Sequence, residues 1–180
     1  MNANNDNGMG IDRGAIAGAL EAVRGATPLV HCITNYVTVN DCANALLAAG
    51  ASPVMADDAD EVEDIVGISN ALVINIGTLD ERTIRSMAMA GKAANRRGIP
   101  VVLDPVGAGA SRLRTETARS LVDTIRFAVV RGNASEIRTL LAGTGATRGV
   151  DAQAEHSAEG ALERTIEVAV QLALKTESVI

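Results

Sequence analysis

Residues 131–136 read Arg-Gly-Asn-Ala-Ser-Glu and follow the apolar run Phe127-Ala128-Val129-Val130. Behind them stands the helix-like Ile137-Arg138-Thr139-Leu140-Leu141. A strand therefore hands a cation, a glycine, an amide and a carboxylate to the mouth of a helix. That collection suits a metal-bound polyphosphate: Arg131 can pair with phosphate oxygens, and Glu136 can hold magnesium directly or through water. The same six residues also spell a helix cap, with Asn133 at the N-cap and Glu136 three places on. The hexapeptide alone fits either reading.

Three further clusters have the same shape, an apolar run with a polar exit. Asp104 leads into Pro105-Val106-Gly107-Ala108-Gly109-Ala110, where glycines let backbone N–H groups approach an anion and Asp104 can counter-charge a metal ion. An Asp-Pro turn followed by a loop needing positive φ is the plainer alternative. The Gly-Ala-Gly does not complete a dinucleotide fingerprint, because Arg112 stands where its third glycine belongs. Arg112 and Arg114 read as solvated helix charges. Asn75-Ile76-Gly77-Thr78 ends the most apolar run, with Thr78 a candidate cap for the helix that follows. His31-Cys32-Ile33-Thr34-Asn35 is the last cluster; His31 reads as structural, and His156 as a surface residue.

The elements that must hold these clusters alternate along the chain. Apolar spacing predicts helices over 11–24, 39–49, 80–97, 112–125, 134–142 and 158–175, with a short one ending near 68. Gly50 and Gly98 stop two of them in the manner of C-caps. Between them, strands are expected at 29–33, 52–55, 71–76, 99–103 and 127–130, and another begins at 178–180. Residues 143–157, with Gly143, Gly145 and Gly149, read as a surface loop. Continuous apolar strands alternating with amphipathic helices predict an α/β fold, a mainly parallel central sheet with helices on both faces. Such sheets bind ligands outside the carboxyl ends of their strands, where all four polar clusters fall.

Composition narrows the class of partner. Trp is absent, and Tyr36 and Phe127 are the only aromatic residues among 180, so a base-stacking surface is disfavoured. A net charge of −6 without a basic block argues against a polyanion partner, although a small phosphorylated ligand needs only one or two local cations. Cys32 and Cys42 stand ten residues apart, which is no zinc spacing; both are expected to be buried free thiols in a reducing cytoplasm. Residues 1–10 read as a flexible tail and 11–180 as a single domain. No apolar stretch approaches a membrane span.

Five segments in order carry a resemblance. Pro28-Leu29-Val30-His31-Cys32-Ile33-Thr34-Asn35, Gly50-Ala51-Ser52-Pro53-Val54-Met55, Asn75-Ile76-Gly77-Thr78-Leu79, Leu103 to Ala110 and Arg131 to Glu136 resemble the motifs of hydroxyethylthiazole kinases, of the ribokinase-like superfamily. The resemblance implies ATP-dependent phosphorylation of 4-methyl-5-(2-hydroxyethyl)thiazole in thiamine salvage, with magnesium, in a homotrimer whose thiazole sites lie between subunits. It makes Met55 and Asn35 substrate-binding residues, Arg131 and Asn133 ATP-binding residues, and Glu136 and Asp104 metal residues.

Family members continue into a Val-Thr-Gly strand end and a Gly-Thr-Gly-Cys segment that forms the anion hole. Neither is found in the 180 residues, so no catalytic residue is assigned. Gly143-Thr144-Gly145-Ala146 is similar to the second segment but stands too early in the chain. The expectation is a ribokinase-like domain lacking its C-terminal third, with very low turnover by these residues alone. A ligand-binding remnant, or a kinase or ATP-dependent dehydratase of the same superfamily, are the alternatives.

Overall fold

A computed structural model describes residues 12–142 and 158–180. The expected tail at 1–10, the loop at 143–157 and His156 lie outside the described residues. The chain runs α1 (Arg13–Ala26), β1 (Leu29–Ile33), α2 (Val39–Ala49), β2 (Ser52–Val54), α3 (Val62–Ile68), β3 (Ala71–Asn75), α4 (Glu81–Arg97), β4 (Val101–Asp104), α5 (Arg112–Thr124), β5 (Val129–Val130), α6 (Ala134–Leu141) and α7 (Ala158–Thr176). The strands form one parallel sheet in the order β2-β1-β3-β4-β5. This is the expected α/β architecture, and β3, the most apolar run, takes its centre.

Strand pleating divides the core. Leu72 and Ile74 of β3, Val101 and Leu103 of β4 and Val130 of β5 point to one face, together with Val62, Val66, Met87, Ala90, Leu121, Ile137 and Leu140 from α3 to α6. Alternate residues turn the other way. Val30, Cys32, Ala71 and Val73 pack with Val23 of α1 and Leu46 of α2. α7 contributes the buried Leu172 to the larger cluster and leaves Leu162, Ile166, Val170 and Leu174 exposed.

Local signals account for most boundaries. Gly50 and Gly98 close α2 and α4 at φ 98° and 71°, the left-handed region that only glycine enters freely. β4 starts at Val101 rather than 99, because Pro100 has no N–H for the ladder. Asp80, not Thr78, caps α4: its carboxylate accepts from Thr83 N at 2.8 Å, and Thr83 returns a bond to the Asp80 backbone. Asp80 is the better cap because it directly precedes the first helical residue. The strand expected at 178–180 is realised as one parallel bridge, with Val179 bonded to Ala128 and Val130 beside β5.

Candidate active site

The carboxyl ends of four strands deliver Asn35, Asn75, Asp104 and Arg131 to one rim, and these side chains join in a line. Asn35 Nδ2 donates to Asn75 Oδ1 at 3.2 Å, and Asn75 Nδ2 donates to Asp104 Oδ2 at 2.8 Å. Arg131 then donates to the same Asp104 oxygen at 3.2 Å. Parallel register makes the line possible, because Asn75 and Asp104 are direct partners across β3 and β4. One residue of slip would turn either side chain to the other face.

Asp104 is the electrostatic centre. Burial holds its carboxyl above the ordinary range, Arg131 and the Asn75 bond pull it back down, and the negative charge of Glu136 adds to the rise. The two negative charges together favour a cation near Asp104. The Asp104 side chain is 17% exposed and its partner Arg131 is 77% exposed. An ion pair so open to solvent is worth at most about 1 kcal/mol, so the guanidinium can turn to another anion at little cost.

Glu136 takes the capping place that its spacing offered. Asn133 Oδ1 accepts from Ser135 N and Glu136 N, while Glu136 Oε2 accepts from Asn133 N at 2.8 Å, a complete capping box. Its other oxygen, Oε1, accepts from Gly107 N at 2.8 Å. The carboxylate therefore clasps the glycine loop after β4 to the start of α6. That loop turns back on itself at Gly107 and Gly109, with φ 74° and 95°. A Cβ at Gly107 would press on the Arg114 guanidinium.

Arg114 is not the solvated charge that its sequence context predicts. It donates to Val106 O and to Gly77 O, both at 2.8 Å, and so ties the loop after β3 to the loop after β4. A signal was available: a cation in the first turn of a helix opposes the helix dipole and needs another reason to be there. Arg112 is exposed as expected, facing Glu116 at 4.0 Å.

The remaining candidates lie at the margins of the rim. Asn35 is half-buried, and its Oδ1 accepts from Val37 N and Thr38 N, shaping the turn into α2. Met55 follows β2, the edge strand, and is 36% exposed. Nearby, Tyr36 donates to Asp57, whose carboxylate also takes the Arg82 guanidinium and is held below its usual range chiefly by it. His31 is structural: buried, with Nε2 against Ala56 O at 2.7 Å. Cys32 is buried, and its thiol is pushed up to about 11 chiefly by burial. Cys42 is only half-buried, because it sits near the N-terminus of α2 beside Thr38 and not under the sheet.

Magnesium fits this rim. Among the described residues no three His, Cys, Asp or Glu side chains converge as a metal cluster. Magnesium rarely needs one; it keeps waters and phosphate oxygens and takes one or two carboxylates from the protein. Asp104 carries both its hydrogen bonds on Oδ2, leaving Oδ1 available.

A parallel sheet with this polar line along its carboxyl rim defines an α/β protein with its candidate site where such folds bind ligands. Residues 20–180 match the hydroxyethylthiazole kinase family, and the chain belongs to it. It is 64% identical to the hydroxyethylthiazole kinase of Desulfovibrio desulfuricans over 137 residues, which covers 76% of this chain and 48% of that protein. With the Clostridium acetobutylicum enzyme it shares 56% over 162 residues, 89% of this chain and 59% of the relative. The solved structure of the Pyrococcus horikoshii hydroxyethylthiazole kinase superposes with a TM-score of 0.80 at 41% identity, covering 92% of this chain and 59% of that one. The chain spans about half the length of the curated relatives it matches.

Proposed function

We propose that the full-length protein transfers the terminal phosphoryl group of ATP to the hydroxyl of 4-methyl-5-(2-hydroxyethyl)thiazole, a salvage step toward thiamine. The observation that carries this reading is the hydrogen-bonded line Asn35–Asn75–Asp104–Arg131 on one rim, with Glu136 beside its charged end. Membership of the hydroxyethylthiazole kinase family supports the choice of alcohol and of ATP as phosphoryl donor.

Phosphoryl transfer asks the protein for positioning and charge neutralisation more than for covalent chemistry. Arg131 leaves Asp104 to pair with phosphate oxygens, and Asn133 lies beside it at the N-terminus of α6. Magnesium, when bound, neutralises phosphate charge, and Asp104 and Glu136 would hold it. Glu136 already accepts one backbone N–H on each oxygen, so it suits a water-mediated contact. At the other end of the line Asn35 orients the hydroxyethyl group, and Met55 offers its thioether to the thiazole ring. The alcohol oxygen gains the phosphoryl group, ADP departs and the hydroxyl proton is released. The same reading makes the protein a cytoplasmic homotrimer with thiazole sites between subunits.

The test is ADP release by the full-length protein with magnesium, ATP and a panel of small alcohols. Turnover should be greatest with the thiazole alcohol. None with that substrate, where a D. desulfuricans control is active, would overturn the proposal.

A further inference from the structure

Asn75 carries more of the rim than either neighbour. It ends the central strand, is 8% exposed, and reaches two loops with its oxygen and the end of β4 with its nitrogen. Oδ1 accepts from Asn35 Nδ2 and from Gly77 N, the latter at 2.8 Å, while Nδ2 donates to Asp104 Oδ2. Those partners fix the amide in one orientation. A flip would aim Oδ1 at a carboxylate and set the NH2 group against two N–H donors, leaving buried groups unsatisfied. Asn35 is fixed by the same logic, since its Oδ1 already accepts two backbone N–H groups and only its NH2 can face Asn75.

We infer that Asn75 is a positioning residue that couples the two ends of the site, transmitting the state of Asn35 to the Asp104 carboxylate. The inference rests on the phosphoryl-transfer reading above and deepens it, because it links the alcohol end to the metal–phosphate end through one side chain. With Asn35 held, the Asn75 amide must present its donor to Asp104, which pins Oδ2 and leaves Oδ1 for a cation. Gly77 N still holds Asn75 Oδ1 when the Asn35 donor is lost, so it takes an opposing oxygen at position 35 to push the amide round and withdraw that donor. Groups that orient a ligating carboxylate in this way commonly change metal affinity about 10- to 100-fold when lost.

Manganese(II) serves as a paramagnetic stand-in for magnesium, and its binding to the full-length protein with a non-hydrolysable ATP analogue is read by water-proton relaxation. Asn75→Ala should weaken manganese–nucleotide binding about tenfold. Asn35→Asp is the sharper variant and leaves Asn75 in place. It keeps the oxygen that accepts from Val37 and Thr38 but points a second oxygen at Asn75 Oδ1. A through-space effect of the added negative charge would tighten manganese binding; the relay through Asn75 weakens it about fivefold. In the Asn75→Ala background the same change should no longer weaken binding, the mark of a coupled pair. Unchanged or tighter binding in Asn35→Asp, or an Asn75→Ala protein that melts normally and binds manganese normally, overturns the inference alone. No manganese–nucleotide binding by the unaltered protein overturns the phosphoryl-transfer reading with it.

Discussion

Replacing Glu136 by glutamine separates its two roles. In the native structure each carboxylate oxygen accepts one backbone N–H at 2.8 Å, from Gly107 and from Asn133, and the residue is 9% exposed. A glutamine of the same shape has one acceptor oxygen, so one of those N–H groups must face an NH2 group. The loss is one charge-assisted bond from a donor that is at most half-buried, about 1.5–3 kcal/mol in all. A cost of about 2 kcal/mol lowers the melting temperature of a chain this size by roughly 4–8 °C. Differential scanning calorimetry at neutral pH measures it. A drop below about 2 °C would refute the clasp between the glycine loop and α6. The same variant of the full-length protein should raise the magnesium concentration for half-maximal ADP release about tenfold. If the melting temperature falls while the magnesium requirement stays put, Glu136 is a capping residue and its metal role is wrong.

Three other outcomes are expected. Arg131→Ala should raise the KM for ATP about tenfold and leave the KM for the alcohol within a factor of about two, since one charge-assisted phosphate contact is lost; equal losses would point to a folding defect. Arg114→Met removes two bonds to loop carbonyls, Val106 O and Gly77 O, and should cost about 2–3 kcal/mol in urea unfolding, although Arg112→Met costs under about 0.5. Equal effects of the two would return Arg114 to the solvent. His31 sits below its usual value, chiefly through burial and against the pull of the Ala56 carbonyl. The unfolded chain therefore binds a proton first, near pH 6.5. Stability from this group is full above that pH and falls as the pH drops from 6.5 to the folded value, by at most about 1.4 kcal/mol per unit. Urea titrations between pH 8 and 5 should lose that slope in His31→Gln, and a slope untouched by the change would be the contrary result.

Strand and helix positions were legible in the sequence because their signals are local. The run at 29–33 and the helix at 39–49 appear within the bounds that apolar spacing and Gly50 set. The parallel sheet followed from alternation of the two periods, and the polar exits followed from where each apolar run ended. Asn133 and Glu136 were readable as a cap for the same reason, since both partners lie within one turn. What no local pattern contains is the order β2-β1-β3-β4-β5, which sets Asn75 beside Asp104, 29 residues away. Only that order turns Arg114 from a surface charge into a tie between two loops, and gives the second Glu136 oxygen to Gly107. The physical reason is reach. Propensity and capping act within a turn of chain, whereas a buried amide or guanidinium takes whichever partners the packed strands bring to it.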